Sequence, residues 1–542
     1  MDDRNGASHE PLLQSKIEEC IHQEHTITLA DGVTRSVSRR DDTISFTSEW
    51  VLKELRNQMY IAGPMVSVTL LQYLLMVVSL MFIGHLGELQ LASAAIAGSF
   101  AGVSGTSLLQ GMACALETLC GQAYGSKQYH MLGIYMQRAM LVLFVVSLPI
   151  AIVWWNTGSI LVVLGQDPEI SAGAGVYARF LLPFLFGVVV LQPLVKFLQT
   201  QSEVLAMALF SAATLILHVP LCWVLIYKLG LGYRGAALAS GISCWLNTLL
   251  LASYVKFSPR FRRTWTSFSR ESFNDLPAFF KLAVPSALMM CLEYWSFQGL
   301  VLMSGLLPNP KLETATLSLC LTGTALLYMI PFGIGAAAST RVSNELGAGR
   351  PQAAKGSVII AVLLGVTEGL IMATALYLGR YTWSKAFTNE NEVIEYVGRV
   401  SPLLAIMHVM DATQGVLSGV ARGCGWLAFG AAANLLAYYF VGLPTAVVLA
   451  FVFKLGGRGL WCGLIMGVTT QALSLLVITC ITNWQQQADQ ALLRVYSSVT
   501  ATLPTEANKE QKDEIPALLL LNDGVHEESL LKPATTSQQV CS

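Results

Sequence analysis

Two acidic residues stand inside apolar runs where a carboxylate has little access to water. Glu293 lies in LAVPSALMMCLEYWSFQGLVLMSGLLP, eight residues beyond Pro285. If that run is a membrane helix, eight residues carry it about 12 Å inward, close to mid-bilayer. Asp411 lies well inside a second run, and His408, Asp411, Gly415 and Ser418 follow one another at spacings of 3, 4 and 3, which puts them on one helical face. A charge at the centre of a bilayer costs about 2.5–3.5 kcal/mol on insertion scales, so such a residue faces a cavity or a partner rather than lipid. The chemistry open to Glu293 and Asp411 is to bind and release a coupling cation, most simply a proton, with sodium as the alternative. Losing the charge on protonation changes the helix packing that is preferred, which could move a carrier between two open states. The competing reading is a fixed structural carboxylate satisfied by hydroxyls such as those of Ser296 or Tyr294.

Other side chains are weaker candidates. Tyr294, Trp295, Phe297 and Tyr328 could stack on aromatic or cationic guests, or simply pack. His408 and His218 could titrate, although a lone histidine on an apolar face is more often a hydrogen-bonded core residue. Glu117 reads as a helix-end or loop partner, and Glu368 as a second-tier acid. There is no metal-ligand cluster, no Walker loop and no nucleophile elbow in the sequence, so ATP hydrolysis and acyl chemistry have no support. The expectation is a protein that is not an enzyme and carries no cofactor beyond its coupling ion.

The elements that must position these residues follow from composition. Hydrophobic residues make up 54% of the 542 residues and charged residues 12%, against roughly 25% charged for a soluble domain. A lipid bilayer resolves the deficit by accepting apolar side chains on the outside. A net charge of −1 leaves no basic field for nucleic acid. Apolar runs of spanning length recur near 58–83, 92–117, 134–158, 177–198, 204–227, 235–256, 278–303, 314–337, 357–379, 398–419, 427–453 and 459–482. The predicted fold is an all-α polytopic membrane protein of twelve transmembrane helices. The connection at 256–281 carries Lys256, Arg260, Arg262, Arg263, Arg270 and Lys281, while those at 84–91 and 159–176 hold no Lys or Arg. The excess of positive charge puts the basic loops, and both termini, in the cytoplasm. The eleven cysteines show no CxxC pair and read as small buried hydrophobes.

The two halves resemble each other. IAGPMVSVTLLQYLLMVVSLMFIGHLG at 61–87 parallels LAVPSALMMCLEYWSFQGLVLMSGLLP at 282–308, with Pro64 on Pro285 and Gln72 on Glu293. TLCGQAYG at 118–125 parallels TRVSNELG at 340–347, LLPFLFGVVVLQ sets Gln192 against Asp411, and GYRG matches GGRG with Pro220 on Pro444 and Arg234 on Arg458. Six spans per half implies two pseudo-symmetric six-helix lobes related by an axis along the membrane normal, with the substrate site between them. The boundaries expected are a disordered tail over 1–50, one lobe over 51–257, a basic loop over 258–277, a second lobe over 278–484 and a disordered tail over 485–542, in which Glu514, Leu518 and Leu519 have acidic-dileucine spacing. At both acid positions the first half carries an amide, which keeps hydrogen-bonding shape and cannot titrate. Coupling therefore belongs to the second half, with Gln72 and Gln192 lining the opposite wall as substrate contacts.

The strings MFIGHLGELQLA, ALETLCGQAYGSKQYHMLGIYMQRA, LPNPKLETATLSLC, AASTRVSNELGAG and VLSGVARGCGW resemble the multidrug and toxic compound extrusion (MATE) family, in the plant subgroup often called DETOXIFICATION proteins. The resemblance runs from about residue 55 to 483 and leaves the tails uncovered. It implies a V-shaped fold around a central cavity and antiport, with protons entering as an organic solute leaves the cytosol. It implies that Glu293, within CLEYW, and Asp411, within VMDATQGVLSGVARG, match the family's seventh-helix glutamate and tenth-helix aspartate. Substrates in the group include xenobiotics, flavonoids, alkaloids, hormones and organic acids, and members sit in the plasma or the vacuolar membrane. A monomer is expected. The rival readings are an uncoupled facilitator or lipid-linked flippase of related architecture, and a membrane sensor or scaffold.

Overall fold

The computed structural model describes residues 25–28, 34–37, 47–386 and 390–502. Met1–Ser45 forms a unit of its own. Within it the strands His25–Thr28 and Thr34–Val37, rich in β-branched residues, pair antiparallel with His25 opposite Val37. The acidic-dileucine residues lie outside the described residues.

The second unit is helical. Among the described residues, twelve helices are long and apolar enough to cross a membrane: α1 Ser48–Gly84, α2 Glu88–Gly125, α3 Tyr129–Trp155, α4 Leu182–Thr200, α5 Val204–Lys228, α6 Tyr233–Phe257, α7 Leu276–Ser304, α8 Leu312–Gly347, α9 Pro351–Leu378, α10 Asn391–Cys424, α11 Leu427–Val452 and α12 Gly457–Ile481. Apolar side chains cover their outer faces, with Leu302 74% and Ile216 71% exposed, as a hydrocarbon solvent requires. The fourth apolar run does not form one helix. It breaks at Leu181, between Pro168–Phe180 and α4, where Pro183 has no N–H to continue the ladder.

The repeat is visible in the backbone. α5 ends in a π-helical segment, Val224–Lys228, and α11 ends in another, Val448–Val452. Each leads to a glycine with positive φ that caps the next helix, Gly232 at 56° and Gly456 at 59°. Across the lobe boundary α1 packs on α8 and α2 on α7, two contacts that a two-fold axis exchanges, because α1 corresponds to α7 and α2 to α8.

The chain stays helical beyond α12. Residues 485–502 were expected to be disordered, yet α13, Trp484–Thr502, lies against α2, α8 and α9. Trp484, Ala488, Ala491 and Val495 are buried along one face of α13. Their spacing of 4, 3 and 4 is a helical stripe, and its burial overrides the polar composition of the segment.

Candidate functional site in the second lobe

Glu293 projects from α7 and keeps partial exposure. Its carboxylate accepts hydrogen bonds from the Tyr328 hydroxyl on α8 at 3.3 Å, from Gln414 Nε2 on α10 at 3.0 Å and from Gln471 Nε2 on α12 at 3.4 Å. Gln471 also donates to Asn434 Oδ1 at 2.7 Å and accepts from the Tyr438 hydroxyl at 2.7 Å. Asn434 in turn donates to the Met289 carbonyl, one turn before Glu293, at 2.6 Å. A π-helical segment, Leu435–Gly442, follows Asn434 and contains Tyr438. Such widened turns are frequent at functional sites. The hydroxyls anticipated from sequence play no such part: Ser296 Oγ donates to the backbone carbonyl of Glu293.

Asp411 is buried on α10, and its Oδ1 has no hydrogen-bond partner. Nearby on the same face, His408 Nε2 stands 3.3 Å from Glu368 Oε1 of α9. His408 Nδ1, Glu368 Oε2 and Gln414 Oε1 are likewise buried without partners. The close approach of α9 to α10 is made by Gly369, where a Cβ would stand 3.1 Å from Val409 Cα and from Ala412 Cβ. Four buried polar atoms, Asp411 Oδ1, His408 Nδ1, Glu368 Oε2 and Gln414 Oε1, thus lie on two facing helices beside Glu293, whose carboxylate is held by three donors.

The remaining predicted residues scatter. Tyr294 places its hydroxyl against Gly102 on α2, where a Cβ would come within 2.5 Å. Trp295, 38% exposed, donates its indole N–H to the Val103 carbonyl at 3.0 Å. That carbonyl belongs to the π-helical segment Gly102–Thr106. Gln72 on α1 has a buried Nε2 without a partner, and Gln192 on α4 is partly buried. Neither amide joins the network around Glu293.

Glu117, read from sequence as a helix-end or loop partner, is the hub of a second polar centre whose cations sequence reasoning missed. Glu117 on α2 is fully buried and bonded by Lys196 of α4 and, at 2.9 Å, by Arg422 Nε of α10. Thr118 donates to the Arg422 carbonyl, and Gln122 donates to the Gly423 carbonyl at 3.2 Å. At the same end Arg341 on α8 pairs with Glu54 on α1 through bonds of 3.0 and 2.7 Å. The signal available was two basic residues inside apolar runs, LVKFLQT and GVARGCG.

Here the repeat meets itself. A Cβ on Gly121 would collide with Ser343, one on Gly125 with the Asn344 carbonyl, and one on Gly347 with the Gln122 carbonyl. The last two contacts are exchanged by the two-fold, so LCGQAYG and VSNELG form a glycine seam that shuts this end of the space between the lobes.

Comparison with known proteins accords with this architecture. The family described as MatE matches twice, over residues 64–224 and 285–448, once in each lobe. The chain is 52% identical to Protein DETOXIFICATION 16 of Arabidopsis thaliana over 448 residues, which cover 83% of this chain and 92% of that protein. It is 49% identical to Protein DETOXIFICATION 17 of the same plant over 472 residues, 87% of this chain and 98% of the relative. The crystal structure of the eukaryotic MATE transporter AtDTX14 superposes with a TM-score of 0.80 at 46% identity, covering 82% of this chain and 99% of that one. With one family segment in each lobe and near full-length relatives at about half identity, this chain belongs to the MATE family and is a multi-pass membrane efflux transporter of small molecules.

Proposed function

We propose that the protein is a proton-coupled antiporter that exports small organic compounds from the cytosol, with Glu293 and Asp411 as the coupling carboxylates. The observation that carries this reading is the cluster of three carboxyl groups, Glu293, Asp411 and Glu368, gathered from α7, α10 and α9 with His408 and Gln414 among them and with Glu293 held by three donors. A proton placed on Asp411 turns an orphaned acceptor into a donor. A proton placed on Glu293 makes one of its oxygens a donor, which the Tyr328 hydroxyl can accept by rotating or Gln414 by turning its amide to present Oε1. Because those partners sit on α8, α10 and α12, this exchange of bonds links protonation to the packing of three helices. The seam at Gly121, Gly125 and Gly347 is then the element that must open for solute to enter from the cytosol.

The clustering of Arg260, Arg262, Arg263 and Arg270 between α6 and α7 supports a cytoplasmic position for the closed end and for both termini. Xenobiotics, flavonoids and alkaloids are the solute classes proposed, the plasma or the vacuolar membrane the site, and a monomer the working unit. Sodium is the alternative coupling ion.

The test is flux in proteoliposomes. A fluorescent organic substrate should move only when a pH gradient is imposed, and replacing that gradient with a sodium gradient should not support it. Glu293→Gln and Asp411→Asn should each abolish gradient-driven flux while leaving the melting transition in detergent in place. Unchanged flux in both variants would remove proton coupling through these residues.

A further inference from the structure

The connection between α6 and α7 sorts its side chains into two sets, one turned to the protein and one turned away. Residues 256–281 hold six basic side chains against two acidic ones. Both acids face α3: Glu271 stands 3.8 Å from His130 Nε2, and Asp275 stands 3.9 Å from Arg138 Nη1. The neighbouring carboxylate, Glu203, is taken by Arg260 at 2.7 and 2.8 Å and by the Tyr254 hydroxyl at 3.4 Å. Arg262, Arg263 and Arg270 are exposed and have no acidic partner among the described residues. The aromatic rings divide in the same way. Phe261 is buried against Phe197 of α4 and Tyr254 of α6, whereas Phe257, Phe268 and Phe273 are 77%, 79% and 62% exposed.

Ties to α3 set the depth of this connection. Gly133 lets the Thr264 carbonyl approach, since a Cβ there would stand 2.7 Å from it. Gln137 holds two further points, donating to the Ser267 carbonyl at 2.7 Å and accepting from the Ser269 N–H at 2.9 Å. Tyr129 opens α3, so a segment fastened at Gly133 and Gln137 is folded back along about 12 Å of a spanning helix. Phe257 is the last residue of α6. Exposed rings at the ends of bilayer-crossing helices meet the boundary of headgroups and acyl chains, and uncompensated arginines beside them meet the headgroups. Arg263 also lines, with Tyr124 and Tyr129, an open cavity of about 270 Å³ whose one carboxylate is the paired Glu203. Positive charge alone would orient the chain on insertion, but the outward rings serve no such purpose.

We propose that residues 257–273 form a docking surface for anionic phospholipids of the leaflet at this end of the protein. Arg262, Arg263 and Arg270 hold the headgroups, and Phe257, Phe268 and Phe273 sit among the acyl chains. The segment is tied to the first lobe through α3 and runs directly into α7 of the second. A headgroup bound there therefore sits at the covalent joint between the lobes. The surface depends neither on which solute is carried nor on how transport is coupled.

The test is native mass spectrometry of the full-length protein, purified in detergent and incubated with equal amounts of dioleoyl-phosphatidylglycerol and dioleoyl-phosphatidylcholine. The two lipids share their acyl chains and differ in headgroup charge. The wild type should retain phosphatidylglycerol at least about 5-fold over phosphatidylcholine. Arg262→Gln, Arg263→Gln and Arg270→Gln together should bring the ratio near one without lowering the melting temperature, and lysine at the same three positions should keep most of it. Arg270→Gln alone should lower the ratio part-way, which serves if the triple variant does not fold. Phe257→Ser with Phe268→Ser should reduce retention of both lipids. Lys385→Gln with Lys454→Gln, beyond α9 and α11 at the opposite end, should change neither. Equal retention of the two lipids by the wild type would overturn the docking surface and leave the arginines to membrane insertion or to an acidic protein partner. A preference that survives loss of the three arginines, or that falls equally on loss of the two distant lysines, would overturn it as well.

Discussion

Asn434 shows how much a neutral residue contributes to a site whose acids attract attention first. Its two hydrogen bonds, to the Met289 carbonyl and from Gln471, fasten α11 to α7 and α12 beside Glu293. Asn434→Leu should remove both, at about 1 kcal/mol each, and lower the melting temperature of the purified protein by a few degrees. Gln471→Leu should act on function as well, because it withdraws one of three donors from Glu293; its gradient-driven flux should fall well below that of wild type at equal expression. At this scale the acids were legible and their partners were not. A carboxylate within an apolar run is rare enough to demand a reason. Gln414, Asn434, Tyr438 and Gln471 are neutral and common in such runs, and only the fold brings them together from α10, α11 and α12. Gln72 and Gln192 occupy the positions equivalent to the acids and stand apart from the Glu293 network.

At the scale of elements, α13 carries the clearest expectation. Arg494 donates to Gln122 Oε1 at 2.6 Å, Gln487 Oε1 accepts from the Trp426 indole at 3.0 Å, and Trp484 lies 6.1 Å from Trp426 between ring centroids. Gly425, with φ 82°, leaves the room that Arg494 occupies, since a Cβ there would stand 3.0 Å from Nη1. Partial burial of Arg494 pulls its pKa below the ordinary arginine value but leaves it charged at physiological pH. Truncation after Asn483 should therefore raise amide exchange in residues 118–125 and 340–347 and lower the melting temperature. Arg494→Ala should give the milder version of both. Hydropathy reads the twelve spans well because their apolar runs have the length a bilayer requires. It misses α13 because an amphipathic helix averages out to neutrality, and only the stripe of Trp484, Ala488, Ala491 and Val495 betrays it.

For the whole molecule, the two-fold relation brings the lobes together in a seam of glycines, while the acids proposed for coupling fall in one half. Both trace to the duplication: the seam uses residues that the copies share in position, while the acids proposed for coupling occupy positions where the copies differ. A side chain at the seam should separate the two functions. Gly347→Val places carbon against the Gln122 carbonyl, so the lobes should fold and yet fail to close there. The expected outcome is retained binding of a fluorescent organic substrate with loss of gradient-driven flux, read alongside faster amide exchange at 118–125. The repeat itself was legible from prolines and glycines at constant offsets, and the π-helical ends of α5 and α11 reproduce it in the backbone.

The docking of α13 on both lobes also bears on how the protein is followed in cells. A fluorescent reporter joined directly after α12 would take the place of a helix that touches α2, α8 and α9, and its signal would report the location of a loosened carrier. A reporter joined after Ser542 keeps that helix in place, so the two fusions should differ in abundance and in which membrane they mark.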